Sequence, residues 1–300
     1  MAHSNSTRAV LYAFSANLGI AIAKTGAAVW TGSGSLLAEA IHSYADCGNQ
    51  VLLLVGMKRS SKEATQKHPM GYERESYIWS MMVAFVLFSV GGVFAIYEGW
   101  IHLHGQHDVE NAGTALIVLL IAVGLETFSL KGALSAMSEE KGERSLWQWF
   151  KETHSSELMV VTGEDIAALA GLVIALICLG LTVVTGNTTF DAVGSMLIGV
   201  LLIIVAAIVG KEVHSLLIGE AAEDIRSNIY DFLNKQSSVV SVFNVWAIHH
   251  GNSVMVSIKA ELKKDMLVGD AVTEINRMEK MIKENNQRVK WIFFEIDDDD

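Results

Sequence analysis

Cysteine, proline and positive charge are all scarce in this chain of 300 residues. Cys47 and Cys178 are its two cysteines. Neither their number nor their spacing supports a disulfide framework or a thiolate metal cluster. The single proline, Pro69, leaves the apolar runs free to form uninterrupted helices. Lysine and arginine total 22 against 33 acidic residues, a formal charge of −11. That balance argues against a nucleic-acid binder. No GxxxxGK[ST] phosphate loop occurs. The opening MAHSNSTR is polar and carries one cation, Arg8, so no cleavable signal peptide is expected.

What is abundant is apolar sequence. Hydrophobic residues make up 51% and charged residues 18%, which is apolar for a soluble protein of this size. Six runs fill the first two thirds: 11–30, 35–57, 77–100, 112–134, 158–184 and 190–217. Each approaches the roughly 20 residues that a membrane helix needs. The connections between runs two and three and between runs four and five carry lysine and arginine, among them Lys58, Arg59, Lys62, Arg74, Lys141 and Arg144. The alternate connections carry none, so the basic loops and both termini are placed on the cytoplasmic side. The loop around Leu146, Trp147, Trp149 and Phe150 reads as an interfacial anchor or short amphipathic helix.

After Leu217 the composition changes. A helix is expected over 222–235, a strand over 239–247, a turn at His249-His250-Gly251-Asn252, an alternating strand over 253–260, a helix over 268–286 and a strand over 288–296. The fold class is therefore a bundle of six transmembrane helices (1–217) followed by a small α-β-β-α-β cytoplasmic domain (218–300) with an acidic tail. A domain this short is marginal alone and suggests dimerisation.

The polar residues inside the apolar runs carry the chemistry. In run two, His42 and Asp46 are four apart and share one helix face. Glu39 lies a turn before them, and Asn49 and Gln50 a turn after. In run five, Glu164 and Asp165 are adjacent and point about 100° apart. Such groups are costly in lipid and should face a partner group, a cavity or an ion. Imidazole nitrogen with carboxylate oxygens suits Zn2+, Mn2+, Fe2+ or Co2+ and disfavours Cu(I). Lys24, Glu126 and Lys131 are further intramembrane charges whose pairing the sequence leaves open.

These features together resemble the cation diffusion facilitator family. The glycine-serine turn into helix two, the His42/Asp46 pair, the stretch Gly71-Tyr72-Glu73-Arg74-Glu75-Ser76-Tyr77, the SLLIGEAA run over 215–222 and the α-β-β-α-β tail all carry the resemblance, which spans nearly the whole chain. It is most similar to the zinc transporters with His-x-x-x-Asp in helix two and Glu-Asp in helix five. The resemblance implies a secondary transporter, not an enzyme, that exports a divalent cation in exchange for protons by alternating access. Zinc leads as cargo, with Mn2+, Fe2+, Co2+ or Cd2+ as alternatives, and no organic cofactor is implied. It also implies a homodimer through both domains, multi-pass in a bilayer, here expected to be a bacterial plasma membrane. The metal ligands carried over are His42, Asp46 and Asp165. Val161 stands where a fourth ligand belongs, so Glu164 is taken as the fourth, with Asn49, Thr162 or water as alternatives. Other family sites depart too, with Tyr72 before helix three and Phe294 in the last strand in place of histidines, and the resemblance implies that the tail is a dimerisation module without a binuclear metal site. The rival reading is a membrane metal sensor or scaffold without flux.

Overall fold

The computed structural model describes residues 2–31, 34–104, 112–143 and 145–299. The connection at 32–33 and most of 102–111 lie outside the described residues. So do the side chains of Glu39 and His42. The chain divides into two compact units, Met1–Lys62 with Glu75–His214, and Glu63–Arg74 with Ser215–Asp300.

The first unit is helical. Its long helices are α1 (Ala2–Thr31), α2 (Gly34–Ser60), α5 (Ala112–Lys141), α7 (Ser156–Thr185) and α8 (Thr189–Ile218). The third apolar run forms α3 (Glu75–Val86), a π-helical turn (Leu87–Val93) and α4 (Phe94–His104). Four segments, Glu75–His104, Ala115–Ser138, Ser156–Thr185 and Thr189–Ile218, are long and apolar enough to cross a membrane. With no water to satisfy backbone groups in hydrocarbon, such segments must be helical. Their outward residues, including Phe85, Ile117, Leu120 and Ile177, are exposed and apolar. An exposed apolar surface of this extent belongs against lipid.

The absence of proline does not keep the third helix regular. The Phe94 amide donates to Ser89 O, five residues back. The widened turn contains Gly91 and Gly92, and α8 packs against it. A Cβ on Gly92 would lie 2.5 Å from Ile203 Cγ1, and one on Gly199 would lie 2.6 Å from Gly92 O. About two turns further along the contact, a Cβ on Gly99 would lie 2.7 Å from Ala192 O. Small residues thus let two backbones approach, as membrane helices commonly require.

On α5 the buried positions Ala115, Leu119, Ala122, Glu126, Ser129, Ala133 and Met137 recur every three or four residues. They form one inward stripe that carries a carboxyl and a hydroxyl at its middle. The aromatic loop forms α6 (Leu146–Glu152), capped by Ser145 Oγ, which accepts from the Gln148 amide at 3.1 Å. Trp147 is exposed, but Trp149 is fully buried with Met137 and Leu158. The loop is therefore anchored into the unit and does not merely rest at an interface.

The second unit is built on a three-stranded sheet, order β1-β2-β3, with β1 (Val239–His250), β2 (Ser253–Leu262) and β3 (Val289–Ile296). β1 and β2 are antiparallel through the Gly251 turn, where φ is +64°. β2 and β3 are parallel, so a helix must cross over between them. That helix is α10 (Val268–Asn285), and α9 (Glu223–Asn234) precedes β1. Strict alternation on β2 sends Val254, Val256, Ile258, Ala260 and Leu262 inward. There they meet Ile225, Ile229 and Leu233 of α9 and Met278 and Ile282 of α10. The opposite face is open: Ser257 pairs with Trp246 on one side and Phe293 on the other, and these two aromatics are 61% and 56% exposed.

Candidate metal centre

The N-terminal third of α7 is buried all round, every residue from Ser156 to Asp165. Adjacent acids on a helix diverge, and here each meets a different neighbour. Toward α2, Asn49 Nδ2 donates to Glu164 Oε1 at 3.0 Å and Gln50 Nε2 donates to Glu164 Oε2 at 3.2 Å. Asn17 Nδ2 of α1 donates to Gln50 Oε1 at 3.3 Å and extends the network. Toward α5, Ser129 Oγ donates to Asp165 Oδ2 at 3.0 Å. The α2–α5–α7 contact is thus held by side-chain hydrogen bonds between buried groups, each of which would be costly unpaired.

Three oxygens of this region accept no hydrogen bond from a described residue although buried: Asp165 Oδ1, Asn49 Oδ1 and Thr162 Oγ1. Buried polar atoms normally have partners, so these are the atoms with capacity for an added ion or proton. Val161 is fully buried and apolar.

Of the residues singled out in the sequence, Asp46 is half-buried on α2 and lines a cavity of about 50 Å³ with Asn17, Lys24, Ser43 and Glu126. Lys24 Nζ donates to Ser43 Oγ at 3.1 Å. Asp46, Glu126 and Asp165 all lie within electrostatic reach of Glu164. The backbone of His42 lies on α2 one turn before Asp46, with its side chain outside the described residues. Among the described residues, no three histidine, cysteine or acidic side chains are gathered closely enough to hold a metal. Glu126 was legible only as an isolated intramembrane charge. Its position three residues before Ser129, on the same face of α5, was the available signal.

The two tail histidines are not in a turn. His249 and His250 end β1, paired with Val254 and Ser253, and are 7% and 9% exposed. His249 Nδ1 lies 3.0 Å from Arg288 Nη2. Burial, and then the Arg288 charge, push its imidazole down to about 4. His250 packs edge-on against Trp291; burial and then Arg74 lower it too. Guanidinium groups beside both rings oppose a bound cation, which speaks against metal sensing through this pair.

Residues 10–218 match the family model described as the cation efflux transmembrane domain. The chain is 33% identical over 241 residues to the proton-coupled zinc antiporter SLC30A9, mitochondrial, of Xenopus laevis, covering 79% of this chain and 43% of that protein. It is 32% identical over 245 residues to metal tolerance protein C4 of Arabidopsis thaliana, covering 80% and 53%. It is 22% identical over 274 residues to magnetosome protein MamB of Magnetospira sp. (strain QH-2), covering 88% and 87%. The chain thus spans about half the length of the first two relatives. A family match over most of its length, resting on the same helices that carry the Asp46, Glu164 and Asp165 carboxylates, makes this multi-pass membrane protein a member of the cation diffusion facilitator family, whose members are secondary transporters and not enzymes.

Proposed function

We propose that the protein moves a divalent cation, zinc first, out of the cytoplasm in exchange for protons by alternating access. The observation that carries this reading is the presence of α2 and α7 carboxylates within electrostatic reach of one another inside an apolar helical unit, with Asp46 on a cavity and Asp165 holding an uncommitted oxygen. Intramembrane acids so placed mark ion pathways. In this reading His42, Asp46 and Asp165 are ligands. Glu164 joins them once it leaves the Asn49 and Gln50 amides, and Asn49 Oδ1 or Thr162 Oγ1 supplies oxygen otherwise. Zinc and proton exchange draw support from the printed name of the Xenopus relative. Mn2+, Fe2+, Co2+ and Cd2+ are the competing cargoes.

The proposal includes six spans, both termini on the cytoplasmic side and a homodimer. The basic loops support the orientation. The exposed Trp246–Ser257–Phe293 row supports self-association of the tail. The membrane proposed is a bacterial plasma membrane. Residues 1–217 form the transport domain and 218–300 the regulatory domain in this scheme.

Proteoliposomes with an imposed proton gradient provide the test. Zinc uptake should be lost in H42A/D46A and in D165N. Uptake by H42A/D46A at the native rate would remove the site. A second reading, a metal sensor or scaffold without flux, is favoured by one observation: both Glu164 oxygens are engaged by α2 amides. Stoichiometric zinc binding with no uptake would select it.

A further inference from the structure

We propose that Glu126 and Lys24 set the cation affinity of the cavity beside Asp46, Glu126 by attracting the ion as an additional oxygen ligand and Lys24 by opposing it as a tethered cation. The proposal deepens the transport reading and rests on it.

Glu126 is 3% exposed, in the middle of the inward stripe of α5. It lines the cavity of about 50 Å³ that Asp46 also lines. Among the described residues nothing donates a hydrogen bond to it. A carboxyl group held in a membrane bundle without a donor is costly, and a leucine would pack the same stripe without that cost. The space it faces is large enough for an ion or for water. Asn17 and Ser43 add neutral oxygens to the same wall, and Ile20, Leu172 and Leu202 add apolar surface to it. That surface limits water and strengthens every charge interaction inside.

Lys24 is 4% exposed and lines the same wall, its ammonium on Ser43 Oγ at 3.1 Å. An ammonium and a divalent cation repel at this range. When the cavity holds no metal, Lys24 supplies positive charge facing Asp46 and Glu126. When metal enters, the same charge weakens its hold. A transporter needs binding weak enough to end in release, and a lysine inside the cavity provides that without removing a ligand.

The full chain in detergent micelles should be titrated with Zn2+, and with Co2+ as a coloured substitute, and then reconstituted for uptake. E126Q should weaken Zn2+ binding about tenfold, with E126D between it and the native chain. K24Q should tighten binding by about tenfold and slow turnover, with K24R close to native. Elution volume and melting temperature check that each variant is folded. Binding within about twofold of native in both E126Q and K24Q overturns the proposal. So does weakening by both, which marks Lys24 and Glu126 as a static pair that only stabilises the bundle. If the native chain binds zinc with the expected pattern but vesicles take none up, the transport reading fails and the Glu126 assignment stands. If vesicles fill while E126Q binds and transports like the native chain, the reverse holds. Absence of any binding by the native chain removes both.

Discussion

Asn49 on α2 donates to Glu164 on α7 at 3.0 Å across 115 positions of sequence. With Gln50 donating to the second oxygen, one carboxylate is clamped by two amides in a region closed to water. The clamp keeps α2 and α7 in register, and those two helices carry Asp46 and Asp165.

Removing the acceptor should be felt in stability. Glu164→Ala leaves two buried amides unpaired, a loss of about 1–3 kcal/mol. Combined with N49A, the cost should be less than the sum of the singles, because the two side chains share one bond. Thermal unfolding of native, single and double variants in detergent measures this coupling. Simple additivity would mean that the bond contributes nothing.

The glycine contact between the π turn and α8 makes a steric prediction. A Cβ on Gly199 would meet Gly92 O at 2.6 Å and Ile96 Cγ1 at 2.7 Å. Gly199→Val should destabilise by about 1–3 kcal/mol or more, whereas Gly180→Ala, with nothing within 4 Å of the added Cβ, should be neutral or slightly stabilising. Melting temperatures of the two variants separate backbone approach from general intolerance to substitution.

His249 makes the tail sensitive to acid. Its folded imidazole takes a proton only near pH 4, because it is buried and faces Arg288, while in the unfolded chain it does so near 6.5. The unfolded state therefore binds the proton first as pH falls. Stability from this residue is complete above about pH 6.5, declines below it and is gone below about 4, a change on the order of 3 kcal/mol. Glu274, held down to about 2 by Arg277 and then by Ser238, adds its loss only below its ordinary range. H249Q should flatten the pH profile of the unfolding midpoint between 6.5 and 4. A profile parallel to the native one would contradict the assignment.

Glu73 holds the α2–α3 connection within the second unit. Its carboxylate accepts from the Ser253 amide and hydroxyl, both at 3.0 Å, and from Lys290 Nζ at 3.2 Å. Gly251 packs against it so closely that a Cβ would lie 2.5 Å from Glu73 Cβ. E73A should release the segment, raising hydrogen exchange across 63–74 and at Ser253, with a loss of about 1.5–3 kcal/mol locally. Gly251→Ala should do the same through backbone strain at positive φ as well as through the clash. Unchanged exchange in both variants would show that other contacts hold the segment.

Much of the architecture is legible in the sequence. Six apolar runs coincide with the long helices because each run is long enough to close its own hydrogen bonds. The alternation of Val254, Val256 and Ile258 marked a strand with one buried face. The end of β1 differs from the expected turn for a local reason. Two histidines before Gly-Asn look like turn residues, yet the register with β2 and the packing of Trp291 and Arg288 carry the strand to His250. The π turn left no proline to read. It coincides with the Gly92–Gly199 approach, a contact between segments far apart in the chain.

The sequence by itself determined which groups stand in the long helices and at what helical angle: Asp46 on α2, Glu126 with Ser129 on α5, Glu164 beside Asp165 on α7. Periodicity settles this, because a helix places residue types on faces by their spacing alone. Only the tertiary structure decided what each face meets. It gave Glu164 to the α2 amides, Asp165 to Ser129, and opened Glu126 and Lys24 onto the cavity of Asp46. Those outcomes depend on how separate helices dock, and docking is set by side-chain shape and burial summed over many distant positions.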